Sequence, residues 1–175
     1  MRRLQGLLIA ALLAAAPAAV RAADSVDVAL DFAPADAAEF DWTGFYAGVY
    51  GVAQMAPVGT QAGIGVNLGV NSRLEFVLVG AEVAVQGVSG AGGAGAYVQA
   101  LGRVGVAAAD DVALYGAGGL GLDLTAAGGT DALVGGGVEL ALTESVSLRG
   151  QYLHGFDLSG AGATDQVSVG ANFHF

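Results

Sequence analysis

The last ten residues of the chain alternate without a break. Val167, Val169, Ala171, Phe173 and Phe175 fall on one side of an extended chain, and Gln166, Ser168, Gly170, Asn172 and His174 on the other. A period of two marks a strand whose two faces meet different surroundings. Residues 62–70 repeat it, with Ala62, Ile64, Val66, Leu68 and Val70 against Gly63, Gly65, Asn67 and Gly69. From Thr43 onward the same period, interrupted at regular intervals, predicts strands near 43–54, 60–71, 74–87, 95–108, 111–123, 131–142, 145–157 and 164–175. Each reaches the roughly 9–11 residues with which a tilted strand crosses a bilayer.

The links between these strands alternate too. Asn71-Ser72-Arg73, Ala109-Asp110-Asp111 and Thr143-Glu144-Ser145 read as tight polar turns, and 55–59, 88–94, 124–130 and 158–163 as looser glycine-rich links. Short turns at one end and longer loops at the other, with an even strand number, are features of transmembrane barrels. Composition agrees: 54% of residues are hydrophobic, 13% are charged, 30 are glycine, and there is no lysine. After the N-terminus no apolar run approaches the roughly 20 residues of a membrane helix. A soluble eight-stranded barrel of the lipocalin kind turns its apolar face inward. Here the nearly uniform Val, Leu and Ala face is the larger one, and water could not solvate it. The expected fold is all-β, an eight-stranded antiparallel transmembrane β-barrel, because only closed sheets or helices satisfy the backbone in lipid.

The first 23 residues read as an export signal: Arg2 and Arg3, an apolar stretch from Leu4 to Val20, and small residues ending at Ala22-Ala23. Residues 24–41 read as an acidic periplasmic linker with Asp24, Asp27, Asp31, Asp36, Glu39 and Asp41, and 42–175 as the barrel domain. Beyond the signal, Arg73, Arg103 and Arg149 face 16 carboxylates, a balance that excludes nucleic acid as a partner. The chain has no cysteine, so disulfides play no part.

Two stretches carry a family likeness. Asp41-Trp42-Thr43-Gly44-Phe45-Tyr46-Ala47-Gly48 resembles the opening of the small barrel domain of the opacity and Omp25-like porin families. The alternating end that finishes on Phe175 resembles the terminal strand read by barrel-assembly machinery. Gly80-Ala81-Glu82 and Gly137-Val138-Glu139 through Ser147-Leu148-Arg149 also look like that family. The resemblance covers about residues 42–175. It implies residence in the outer membrane of a Gram-negative bacterium, with lipid and lipopolysaccharide around the barrel. Phe173 and Phe175 would be its assembly signal. The loops are shorter and poorer in side chains than those of family members that act as adhesins, which points to a structural role in the envelope. A narrow porin-like passive channel for small solutes is the alternative, and a lipid-modifying enzyme the third reading.

The chemistry on offer is sparse. Gly116-Ala117-Gly118-Gly119-Leu120-Gly121 matches a dinucleotide fingerprint in letters, but that motif needs a helix after it, and here a strand continues into Leu122-Asp123. His154 and His174 read as interface histidines: Phe156 stands two residues past His154 and Ser159 lies in a loop, so a base–nucleophile pair is not indicated. Asp123, Asp131, Asp157 and Asp165 flank the last two external loops, where carboxylates suit Ca²⁺ or Mg²⁺, yet solvated strand ends suffice to explain them. Trp42, Phe45, Phe76, Phe173 and Phe175 at one rim and Tyr97, Tyr152 and Phe156 at the other read as aromatic girdles. No cofactor, no metal and no catalytic centre is expected. The lumen is different. Gly135, Gly137, Glu139 and Ala141 should face inward from the sixth strand, and Ser147, Arg149, Gln151 and Leu153 from the seventh. A turn centred on Glu144 sets Glu139 opposite Arg149, and a second pair, Glu82 with Arg103, is expected between the third and fourth strands.

Overall fold

A computed structural model describes residues 40–57, 59–91, 93–124, 128–158 and 162–175. The expected signal, and all of the expected linker before Phe40, lie outside the described residues, as does Ser159. Eight antiparallel strands follow one another: β1 Gly44–Ala56, β2 Gly59–Leu74, β3 Val77–Gly90, β4 Gly93–Ala109, β5 Val112–Asp123, β6 Thr130–Ala141, β7 Val146–Asp157 and β8 Ala163–His174. Each pairs with the next, and β8 returns to β1, so the sheet is a closed barrel. Closure leaves no edge strand with unpaired backbone groups. The glycine-rich stretch 116–121 lies wholly inside β5.

The alternation explains which solvent each face meets. Val49, Ile64, Val66, Leu68, Val83, Val104, Leu120 and Val169 point away from the barrel and are exposed. Asn67, Glu82, Gln86, Gln99, Arg103, Glu139, Arg149 and Gln166 point inward and are buried. Apolar outside and polar inside is the inverse of a soluble barrel and the surface that hydrocarbon requires.

Three expectations are corrected. The β2–β3 turn is not Asn71-Ser72-Arg73: the ladder runs on to Leu74 opposite Val77, and the turn is Glu75-Phe76. Glu75 takes a left-handed φ of 57°, and Arg73 Nε donates to its carbonyl at 3.1 Å. Asn71 is buried and faces the lumen, so its polarity belongs to a polar interior and not to a turn. Next, the first two external links are shorter than expected, only residues 57–58 and 91–92. Finally, Trp42 and Tyr97 are not girdle residues. Both are buried inside, whereas Phe45, Phe76, Phe173 and Phe175 at the turn end and Tyr152 and Phe156 at the loop end are exposed.

Candidate functional site in the barrel lumen

Side chains of an eight-stranded barrel converge on a narrow axis and about fill it. In the turn-side half of this lumen each strand contributes one of them: Tyr46, Asn67, Glu82, Arg103, Tyr115, Glu139, Arg149 and Asn172, from β1 to β8 in order. Glu82, Arg103, Glu139 and Arg149 are all buried, and their formal charges sum to zero. Arg103 Nη2 donates to Glu139 Oε2 at 3.0 Å and Nη1 approaches Glu82 Oε2 at 3.4 Å, while Arg149 Nη1 donates to Glu82 Oε2. The Tyr46 hydroxyl donates to Glu82 Oε2 at 2.7 Å and accepts from Arg103. Asn67 Nδ2 bridges to Asn172 Oδ1 at 3.0 Å, and Asn172 Nδ2 donates to Glu139 Oε1 at 2.7 Å. The Arg103 guanidinium lies 3.9 Å from the centre of the Tyr115 ring, a cation–π contact strengthened by exclusion of water.

All four charged residues expected in the lumen meet there: Glu82 and Arg103, on neighbouring strands, are in contact at 3.4 Å, whereas Arg149 pairs with Glu82 in place of its ladder neighbour Glu139. Glu139 is opposite Arg149 in the β6–β7 ladder, as the turn at Glu144 implies. Arg149 nevertheless reaches across the lumen to Glu82, and Arg103 reaches across to Glu139. The register expected for Glu82 and Arg103 is corrected: Glu82 is opposite Leu101, and Arg103 is opposite Gly80. Inward side chains meet at the axis, so a long guanidinium finds the carboxylate facing it as easily as the one beside it. A buried charge with no partner is costly, and the crossed pairing gives every charge at least one.

Above this layer, toward the loop end, lie Gln86, Gln99 and Gln166, all buried. Gln99 Nε2 donates to Gln166 Oε1 at 2.7 Å, Gln86 Nε2 approaches the same oxygen at 3.4 Å, and the Tyr50 hydroxyl donates to Gln86 Oε1 at 3.1 Å. Between the two layers is a cavity of about 10 Å³ lined by Tyr50, Glu82, Gln86, Gln99, Arg149 and Gln166 among others, room for one water at most. Toward the turn end the lumen is stopped by Phe40, Trp42, Leu78 and Ala113.

The remaining candidates are placed as follows. His174 is a lumen residue and not an interface one. Its Nε2 lies 3.0 Å from Ser147 Oγ and 3.3 Å from Glu139 Oε1. Ser147 gives its only proton to Glu139 at 2.6 Å, so Nε2 must be a donor toward the serine. A nucleophile needs the opposite arrangement, with the serine proton passing to the imidazole. His154 is half-buried at the loop end, where its Nδ1 meets Asp165 Oδ1 at 2.8 Å, the oxygen that also accepts the Tyr152 hydroxyl at 2.6 Å. Asp131 faces Asp157 across β6 and β7 and accepts the Tyr97 hydroxyl. Among the described residues no three His, Asp or Glu are gathered to hold a metal.

No protein-family model and no curated protein sequence matches this chain. Solved structures do. Neisserial surface protein A superposes with a TM-score of 0.53 at 14% identity, over 76% of this chain and 98% of that one. The attachment invasion locus protein Ail of Yersinia pestis, solved with the heparin analogue sucrose octasulfate, gives 0.54 at 14% over 76% and 97%. The N-terminal β-barrel domain of Pseudomonas aeruginosa OprF gives 0.51 at 13% over 75% and 99%. At such identities the likeness is one of fold.

Proposed function

We propose that this chain is a small barrel of a Gram-negative outer membrane, akin to the opacity and Omp25-like porin families, that serves envelope integrity and does not conduct. The observation that carries the reading is the lumen. A neutral layer of paired charges spans it, glutamines cover that layer, and the space between holds one water at most. The shortness of the links 57–58 and 91–92 supports it, because little side-chain surface stands beyond the barrel for recognising a host or a ligand. Purified barrel in planar bilayers is expected to stay silent. Reproducible single-channel steps from correctly folded protein would replace this reading with the passive channel.

Lipid and lipopolysaccharide are the proposed surroundings, and barrel-assembly machinery the proposed partner at Phe173 and Phe175. Both rings are exposed on the outside and stack at 6.3 Å, while the Phe175 backbone pairs with Phe45 through bonds of 2.9 and 3.2 Å. Phe175→Ala keeps that backbone pair and removes only an exposed ring. Outer-membrane yield is expected to fall several-fold, while the stability of refolded protein changes by no more than about 0.5 kcal/mol. An unchanged yield would remove the assembly role.

A further inference from the structure

Phe40-Asp41-Trp42 is not part of the barrel wall, yet its two rings are buried within it. The β1–β8 ladder closes with Phe45 and Phe175, so the sheet is complete without these three residues. Gly44 has a φ of +120°, a conformation that side-chain-bearing residues rarely adopt, and it lies where the strap meets β1. The Phe40 and Trp42 rings pack 4.5 Å apart and fill a socket made by Leu78, Ala113, Ala107 and Ala141. His174 meets both rings edge-on, at 4.9 and 6.0 Å. Trp42 is 1% exposed and Ser147 is 0%.

The polar attachment of this strap is slight. Phe40 N donates to Asp110 O at a long 3.4 Å, and Asp41 Oδ1 accepts from Thr43 N, a bond internal to the segment. The Trp42 indole Nε1 is buried with no acceptor, which penalises the seated state. The seat therefore rests on ring packing, opposed by an unpaired N–H, and the wall does not depend on it.

We propose that Phe40–Trp42 is a reversible stopper, hinged at Gly44, that seals the turn-end mouth and keeps water from Glu139, Ser147 and His174. The charge layer is a second barrier that stays closed when the stopper leaves. The occupant of the socket is this chain's own segment, in the orientation that the proposed function places toward the periplasm.

The full chain has no cysteine and one tryptophan, which makes the test clean. Ser147→Cys places a single thiol beneath the stopper, to be labelled in refolded barrel by a charged methanethiosulfonate reagent. Labelling is expected to be at least about tenfold faster when Trp42→Ala is added, since access is governed by local opening. Equal rates, in variants with unchanged circular dichroism, overturn the stopper. The Ser147-intact parent carries a second measurement. Trp42 emission is expected to shift to the red and become open to iodide at urea concentrations that leave the β-sheet signal intact. Coincident transitions would mean that the strap unfolds only with the barrel, and overturn reversibility. In planar bilayers Trp42→Ala is expected to remain silent. Channel steps in that variant from a silent parent would show the stopper to be the sole barrier and refute the independent second one.

Discussion

Arg149→Glu is expected to destabilise the folded barrel by at least about 3–5 kcal/mol, the cost of stranding a buried charge by removing its partner. The substitution leaves Glu82, Glu139 and the new carboxylate around Arg103 alone, in a layer that is closed to water. Urea unfolding in detergent micelles measures the loss. The compensating change distinguishes the two pairings. If Arg149 acted with its ladder neighbour, Glu139→Arg would restore it. The ion pair made by Arg149 is with Glu82, so Glu82→Arg is expected to recover the larger share, although it gives up the longer 3.4 Å approach from Arg103. Glu139→Arg is expected to recover the smaller, because it breaks the 3.0 Å bond from Arg103 and leaves the Arg149 site without its own partner. Equal recovery by both, or by neither, would mean that the layer behaves as diffuse charge without specific pairs.

Gly69→Val is expected to cost about 3 kcal/mol, from overpacking and from the loss of a hydrogen bond to a charged group. Gly69 is opposite Tyr46 in the β1–β2 ladder, and the hydroxyl end of the ring occupies the space where a side chain would stand. A Cβ at this position would sit 2.7 Å from Tyr46 Cε1 and closer still to Cζ and the hydroxyl. The ring would have to move, and its hydroxyl would leave Glu82 and Arg103. Placing the same variant in a Tyr46→Ala background should remove most of the additional cost, a coupling that a double-mutant cycle reads directly. Gly51→Val is the control. That glycine faces outward with nothing nearer than 4.0 Å, and a β-branched side chain suits a lipid-facing strand, so its cost should stay within about 0.5 kcal/mol. A comparable loss at both positions would mean that glycine serves the strands generally and has no special place under Tyr46.

Much of the lumen is legible from parity alone. Tyr97 shares its parity on β4 with Arg103, and Gln86 shares that of Glu82 on β3, so each belongs inside once its partner does. An aromatic near a strand end fits a girdle equally well, so position alone draws Tyr97 to the rim where parity draws it inside. His174 shares the polar face of β8 with Gln166 and Asn172, and the same parity puts it in the lumen. Trp42 is not placed this way. It precedes β1, where no alternation operates, and an exposed rim and a buried mouth call for the same residue type. The β2–β3 turn is hidden in the sequence for a related reason: Asn71, buried in a polar lumen, has the composition of a turn residue.

Local alternation by itself determined the strand number, the two faces, the closed all-β fold and the β6–β7 register. Each follows from the two-residue period of an extended chain and from short turns that leave little freedom. Only the closed barrel decided which charges meet. Ladder pairing concerns backbones about 5 Å apart around the wall, whereas inward side chains extend to a shared axis, where Arg149 reaches Glu82 from four strands away. The seat of Trp42 was likewise set by the mouth that the closed wall creates, a space that no segment of the chain encloses alone.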